Sequence, residues 1–126
     1  MAVVNLTKDT FLDTISDNET VLVDFWAPWC GPCRQFAPVF ESQSEQHPDT
    51  VFAKVNTEEE QELAAHFGIR SIPTLMVFRQ QIIVFSQPGA LPPAGLATVI
   101  DKVGELDMDD VRRQIAEQQQ ADEGKA

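Results

Sequence analysis

Val21-Leu22-Val23-Asp24-Phe25-Trp26-Ala27-Pro28-Trp29-Cys30-Gly31-Pro32-Cys33 is the stretch on which the fold turns. As an extended chain, its first six residues put Val21, Val23 and Phe25 on one face and Leu22 and Trp26 on the other. Apolar residues on both faces predict a central strand in a sheet covered on both sides. The same stretch ends in the only two cysteines of the chain, three residues apart. On a helix, positions i and i+3 share a face, so the two sulfurs can meet. A strand that feeds directly into that helix places Cys30 at its N-terminus. There, unpaired backbone N–H groups and the helix dipole stabilise a thiolate. Two thiols held in this way form and break a disulfide reversibly.

Other readings of the cysteine pair are weaker. A staple between residues three apart closes almost no loop and stabilises little under the loop-entropy model. A structural zinc site takes four ligands, and besides the cysteines the chain offers only His47 and His66, neither with a partner at metal-ligand spacing. No metal is therefore expected, and His66, at the end of a helical pattern, reads as solvated or facing the helix dipole.

The remaining segments alternate between strand and helix. Val3, Val4 and Leu6 predict a short first strand. Thr7 caps a helix with Phe11, Leu12 and Ile15 inward. After the cysteines a helix runs to about Gln46, with Phe36, Ala37, Val39 and Phe40 inward and Pro38 inside it, where a kink is expected. Val51 to Asn56 is the next strand. Thr57 with Glu60 forms a capping-box pattern for a helix that presents Leu63, Ala64 and Phe67 and ends at Gly68. Thr74 to Phe78 and Ile82 to Phe85 read as a hairpin. Pro92 opens a helix carrying Leu96, Val99, Ile100 and Val103. The order β-α-β-α-β-α-β-β-α means an α/β domain with a mixed sheet.

Past Gly104 the composition shifts. Residues 105–126 hold seven acids against three bases, and Asp107 caps a further helix with Met108, Val111 and Ile115 as a thin apolar stripe. Asp109 and Arg113 are placed as a supporting i,i+4 pair. The expectation is a solvated helix lying against the domain and fraying toward Ala126, in preference to a docking or oligomerisation helix.

At 126 residues, with 43% apolar residues following secondary-structure periods, the chain is long enough for one domain with a real core. Nine Lys and Arg against twenty Asp and Glu give a net charge of −11, which argues against nucleic acid or an anionic membrane as partner. Nothing approaches eighteen uninterrupted apolar residues, so no transmembrane helix is expected. Met1-Ala2-Val3-Val4-Asn5 has no basic leader and the first apolar stretch is too short for a signal peptide. Two cysteines at redox spacing, without a disulfide framework, suit a reducing cytoplasm.

Val21 to Cys33, Pro38, and Gly68-Ile69-Arg70-Ser71-Ile72-Pro73-Thr74-Leu75 together resemble the thioredoxin family. The match covers roughly residues 1–104, with several separated motifs in the right order. It implies a five-stranded mixed central sheet flanked by helices on both faces. Residues 1–104 then form the domain and 105–126 an acidic C-terminal helical extension.

The resemblance also assigns roles. Cys30, nearer the helix start, is the expected nucleophile, since thiols so placed titrate well below the value of about 8.5 for a free thiol. Cys33, one turn inside, is the resolving thiol. Asp24 falls on the face of Leu22 and Trp26 and should be buried, with a raised pKa that suits a proton acceptor for Cys33. Lys54 matches a family lysine near that carboxylate, though it could equally lay its stem over the core and reach water. Ile72-Pro73 resembles the family's cis-proline. Trp29, Gly31, Pro32, Ile72, Pro73, Gly89 and Ala90 are the expected docking surface, and Trp26 is expected to be mainly structural.

Two features depart from the family. Its last hairpin usually turns on Asn-Gly or similar, where this chain has Arg79-Gln80-Gln81. Without glycine a longer loop or a bulge is expected. Pro88 stands before Gly89, where the family usually has another residue.

The function implied is reduction of protein disulfides through a reversible Cys30–Cys33 disulfide, with no other cofactor. Electrons would come from an NADPH-dependent thioredoxin reductase or similar donor, and the protein is expected to be a monomer. The alternatives are a thiol oxidant or isomerase on the same fold, and a non-catalytic adaptor that binds a partner protein.

Overall fold

A computed structural model describes residues 2–124; Met1, Lys125 and Ala126, and with them the expected fraying toward the C-terminus, lie outside that range. The elements are β1 (Val3–Asn5), α1 (Lys8–Asp17), β2 (Thr20–Trp26), α2 (Gly31–Gln46), β3 (Val51–Asn56), α3 (Gln61–His66), β4 (Thr74–Arg79), β5 (Ile82–Pro88), α4 (Pro93–Glu105) and α5 (Met108–Gly124). They form one five-stranded sheet in the order β1-β3-β2-β4-β5, with β2 at its centre as its two-sided apolar pattern requires. β2 runs parallel to β3 and antiparallel to β4, so the sheet is mixed.

Strand alternation divides the core in two. Val21, Val23 and Phe25 join Phe11 and Ile15 of α1, together with Ala53, Val55, Met76 and Phe78. Leu22 faces the other way, with Phe36 and Phe40 of α2, Phe52, Leu75, Val77, and Leu96 and Val103 of α4. Leu12 does not join the first cluster. It is 75% exposed, because a helix buries one stripe and Phe11 with Ile15 already fills it. Pro38 lies on the exposed side of α2, which continues past it to Gln46.

Two local expectations are corrected, and a third, open between two forms, is decided. Thr57 is not a helix cap: its N–H and hydroxyl both bond the Trp26 carbonyl, 2.8 and 3.0 Å away, closing the end of β2, and Glu60 stands at the N-cap of α3. Of the two forms expected for the β4–β5 hairpin, a longer loop or a bulge, it takes the bulge. Gln80 and Gln81 alone make the turn, both at positive φ (52° and 67°), and the irregularity sits inside the hairpin, where Val77 pairs with Phe85 and Phe78 with Ile83. In α5, Asp109 pairs with Arg112 and not Arg113, while Arg113 takes Asp110 and Glu117. Asp107 caps α5 as expected, its Oδ1 accepting from the N–H groups of Asp109 and Asp110.

Candidate redox site

A four-residue turn, Ala27 to Cys30, carries the chain from the end of β2 into α2. Cys30 is the N-cap of α2, at extended φ and ψ of −85° and 113°, and its Sγ accepts the Cys33 backbone N–H at 3.2 Å. A sulfur thus occupies the position usually held by a capping oxygen, facing donors that the helix leaves unpaired. Pro32 sits in the first turn, where its missing N–H costs nothing and its fixed φ is already helical. Cys30 and Cys33 are joined as a disulfide, with Cα atoms 5.2 Å apart, and both are buried. Trp29 beside them is 66% exposed.

A second segment approaches from the far side. The Ile72–Pro73 bond is cis, and the Ile72 carbonyl oxygen lies 3.7 Å from Cys30 Sγ. Thr74 Oγ1 donates to the Ser71 carbonyl at 2.6 Å, and the Gly89 N–H donates to the Pro73 carbonyl at 2.8 Å. The second bond fastens the end of β5 to the proline loop. Gly89 is at φ +102°, a conformation that side chains with a Cβ rarely adopt. Trp29, Gly31 and Pro32 adjoin the two cysteines in sequence, the Ile72 carbonyl faces Cys30 Sγ, and Gly89 is tied to Pro73, with Ala90 exposed next in sequence.

Asp24 is wholly buried and neither carboxylate oxygen has a hydrogen-bond partner. Desolvation pushes its pKa from 3.8 up to about 7, against a smaller opposing pull from the Lys54 ammonium. It shares the face of Leu22, the face that α2 covers, and pairs across the strands with Lys54 and Leu75. Lys54 rests over Trp26. Its Nζ lies 4.2 Å from the centre of the Trp26 ring, and Trp26 Nε1 is buried without a partner. Trp26 is thus structural in its packing and also forms the wall against which Lys54 rests.

Sequence reasoning missed Glu58. Its Oε1 accepts the indole N–H of Trp29 across 29 residues, and no local pattern announces that contact. Among the described residues, no group of three or more His, Cys, Asp or Glu side chains is placed to hold a metal. No helix among the described residues is long and apolar enough to cross a membrane. Two hollows, of about 540 Å³ at Thr7–Asp9 and Glu59–Glu62 and of about 270 Å³ around His47 and Ile100, do not touch the sulfurs.

A disulfide at a helix N-terminus, opposite a cis-proline loop, with a buried carboxylate on the strand that leads into it, defines a thiol–disulfide oxidoreductase. Comparison with known proteins agrees. The Thioredoxin family model matches residues 2–102. A relative in Streptomyces coelicolor, named as a thioredoxin 2, is 60% identical over 116 residues, which is 92% of this chain and 87% of the relative. Thioredoxin 1 of Synechococcus elongatus is 48% identical over 77% of this chain and 92% of its own length. A mutant thioredoxin from Halobacterium salinarum NRC-1 superposes with a TM-score of 0.76 at 38% identity, covering 83% of this chain and 93% of that one. The chain belongs to the thioredoxin family, and its redox group is its own disulfide.

Proposed function

We propose that the protein is a general reductase of protein disulfides, with Cys30 as nucleophile and Cys33 as resolving thiol. The Cys30 thiolate attacks a substrate disulfide, forming one S–S bond and releasing one substrate sulfur as thiolate. Cys33 then gives its proton to Asp24 and attacks Cys30, and the second substrate sulfur leaves. The substrate gains two electrons and the protein is left with its disulfide. A carboxylate titrating near 7 is matched to accepting a proton at neutral pH. The observation that carries the reading is the Cys30 sulfur capping α2 at 3.2 Å from the Cys33 N–H, where a thiolate is stabilised.

In this reading Trp29, Gly31, Pro32, Ile72, Pro73, Gly89 and Ala90 receive the substrate. An extended segment of the substrate pairs with the backbone at Ile72. Lys54 sets the acidity of Asp24 without touching substrate. A flavoprotein thioredoxin reductase drawing on NADPH restores the dithiol. The protein works as a monomer in the reducing cytoplasm, which its cysteine usage supports. Residues 1–104 carry the activity, and 105–126 are an acidic helical extension.

Reduction of insulin-type disulfides with dithiothreitol, and again with NADPH plus thioredoxin reductase, tests the reading. Turnover in both is expected, and Cys33→Ser should accumulate mixed disulfides with substrates. No turnover in either assay, with biological activity surviving Cys30→Ser, would replace the reductase with an adaptor. A reduction potential of roughly −120 to −180 mV, against roughly −270 mV for a reductant, would make it an oxidant or isomerase.

A further inference from the structure

The geometry points to Glu58 as a residue that selects among disulfide substrates by charge, favouring those with Lys or Arg beside the disulfide. This rests on the reductase reading and on the docking surface around Trp29.

Glu58 is held in place on both sides. The Thr57 N–H and hydroxyl anchor the preceding residue to the Trp26 carbonyl. The Glu58 N–H donates to Asn56 Oδ1 at 2.9 Å, and Gln61 Nε2 donates to the Glu58 carbonyl at 3.2 Å. From that fixed backbone the carboxylate reaches Trp29 and takes its indole N–H on Oε1. Trp29 directly precedes Cys30, so a negative charge is fixed at the rim of the surface that a substrate must cover.

The neighbouring acids are otherwise engaged. Glu59 Oε1 accepts from Asn56 Nδ2 at 2.9 Å, Glu60 Oε1 accepts the Lys8 N–H at 2.7 Å, and Glu62 pairs with Lys8 at 3.5 Å. Among the described residues Glu58 is in no ion pair. Its Oε2 keeps its lone pairs for an incoming donor. Arg34 lies in the first turn of α2, with its guanidinium directed at the Pro28 carbonyl 3.5 Å away. Charge at an interface rim acts mainly on the rate of productive encounter and is screened by salt. A cationic flank is therefore drawn to Glu58 and an acidic flank repelled.

The test uses reduced full-length protein and peptides carrying one disulfide flanked by Arg, by Glu or by Gln, with single-turnover rates measured at low and high ionic strength. Glu58→Gln removes the charge and keeps an acceptor for Trp29. At low salt the Arg-to-Glu rate ratio of the unmodified protein should exceed one and should fall about two- to fivefold in Glu58→Gln. Glu58→Lys should invert it, and high salt should erase the difference. A ratio unchanged by Glu58→Gln, or an equal loss of rate on all the peptides, would overturn the proposal, the latter leaving Glu58 as a prop for Trp29. Failure of the unmodified protein to reduce even the Gln-flanked peptide would overturn the reductase reading instead.

Discussion

Arg112 of α5 donates from its guanidinium to the side-chain carbonyl of Gln80, the first residue of the β4–β5 turn. That contact ties the C-terminal extension to a turn that carries no glycine. Gln80 also donates its N–H to the Glu19 carbonyl at 2.8 Å and its Nε2 to Glu19 Oε2 at 3.0 Å. Next to it, Arg79 bonds Glu19 Oε2 at 3.1 Å and the carbonyls of Val103 and Leu106 at 2.7 and 2.9 Å. One side chain thus caps the end of α4 and holds the linker into α5.

Side-chain bonds to Gln80 oppose the strain of two non-glycine residues at positive φ, each of which costs on the order of 1 kcal/mol. Arg112→Ala should lower stability by about 0.5–1 kcal/mol, and the loss should vanish in a Gln80→Asn/Gln81→Gly background, where the turn is relaxed without help. Denaturant unfolding of the four proteins in this cycle gives the coupling directly. An Arg112 effect that persists in the relaxed background would separate α5 from the turn.

Arg79→Met should be more severe. The guanidinium side chain is only 18% exposed, and its loss removes the shortest donor to the Val103 carbonyl and the guanidinium donor to the Leu106 carbonyl. A cost of about 2–3 kcal/mol is expected, read as an earlier urea midpoint at unchanged slope.

Asp24 makes stability depend on pH in a defined direction. Its folded pKa, about 7, lies above the ordinary 3.8, so between those values the folded state holds a proton that the unfolded state has lost. Stability therefore falls as pH rises from about 4 to about 7, and the penalty is complete above that. Asp24→Asn should be more stable than the unmodified protein at pH 8, by on the order of 4 kcal/mol at most, with the gain gone near pH 4. A gain that does not depend on pH would contradict the buried carboxylate. The resolving step of Asp24→Asn should also lose its pH inflection near neutrality.

Lys54 opposes the desolvation of Asp24. Lys54→Met should therefore move that inflection upward, while leaving the Asp24→Asn profile unaffected. A downward shift, or an equal effect in both backgrounds, would show that the ammonium acts elsewhere.

Gly89 has open space where a Cβ would stand, so any cost of substitution comes from its φ of +102°. Gly89→Ala should destabilise by on the order of 1–2 kcal/mol. Because its N–H is bonded to the Pro73 carbonyl, kcat/KM for protein disulfides should fall along with the melting temperature. Full activity with lowered stability would confine the role of Gly89 to the fold.

The sequence by itself determined the centre of the molecule. Two-sided apolarity from Val21 to Trp26 sets β2 as the inner strand, and the cysteine spacing sets both sulfurs on one face of α2. These are local properties, carried by periods of two and of 3.6 residues, so they are readable wherever the pattern is uninterrupted. The burial of Asp24 was legible for the same reason, since alternation places it among residues that must be inside. Tertiary structure alone decided the contacts between segments remote in the chain. Glu58 reaches Trp29 only because β3 lies against β2, and Arg112 reaches Gln80 only because α5 returns along the hairpin. At the hairpin the sequence left a longer loop or a bulge open, because the support of the short turn at Gln80 and Gln81 comes from Glu19 and Arg112, neither a sequence neighbour. Thr57 was misread as a helix cap because Trp26, its actual partner, is 31 residues away and the same hydroxyl can serve either bond. A hydrogen-bonding side chain states what it can offer; only the fold states who is within three ångströms to accept it.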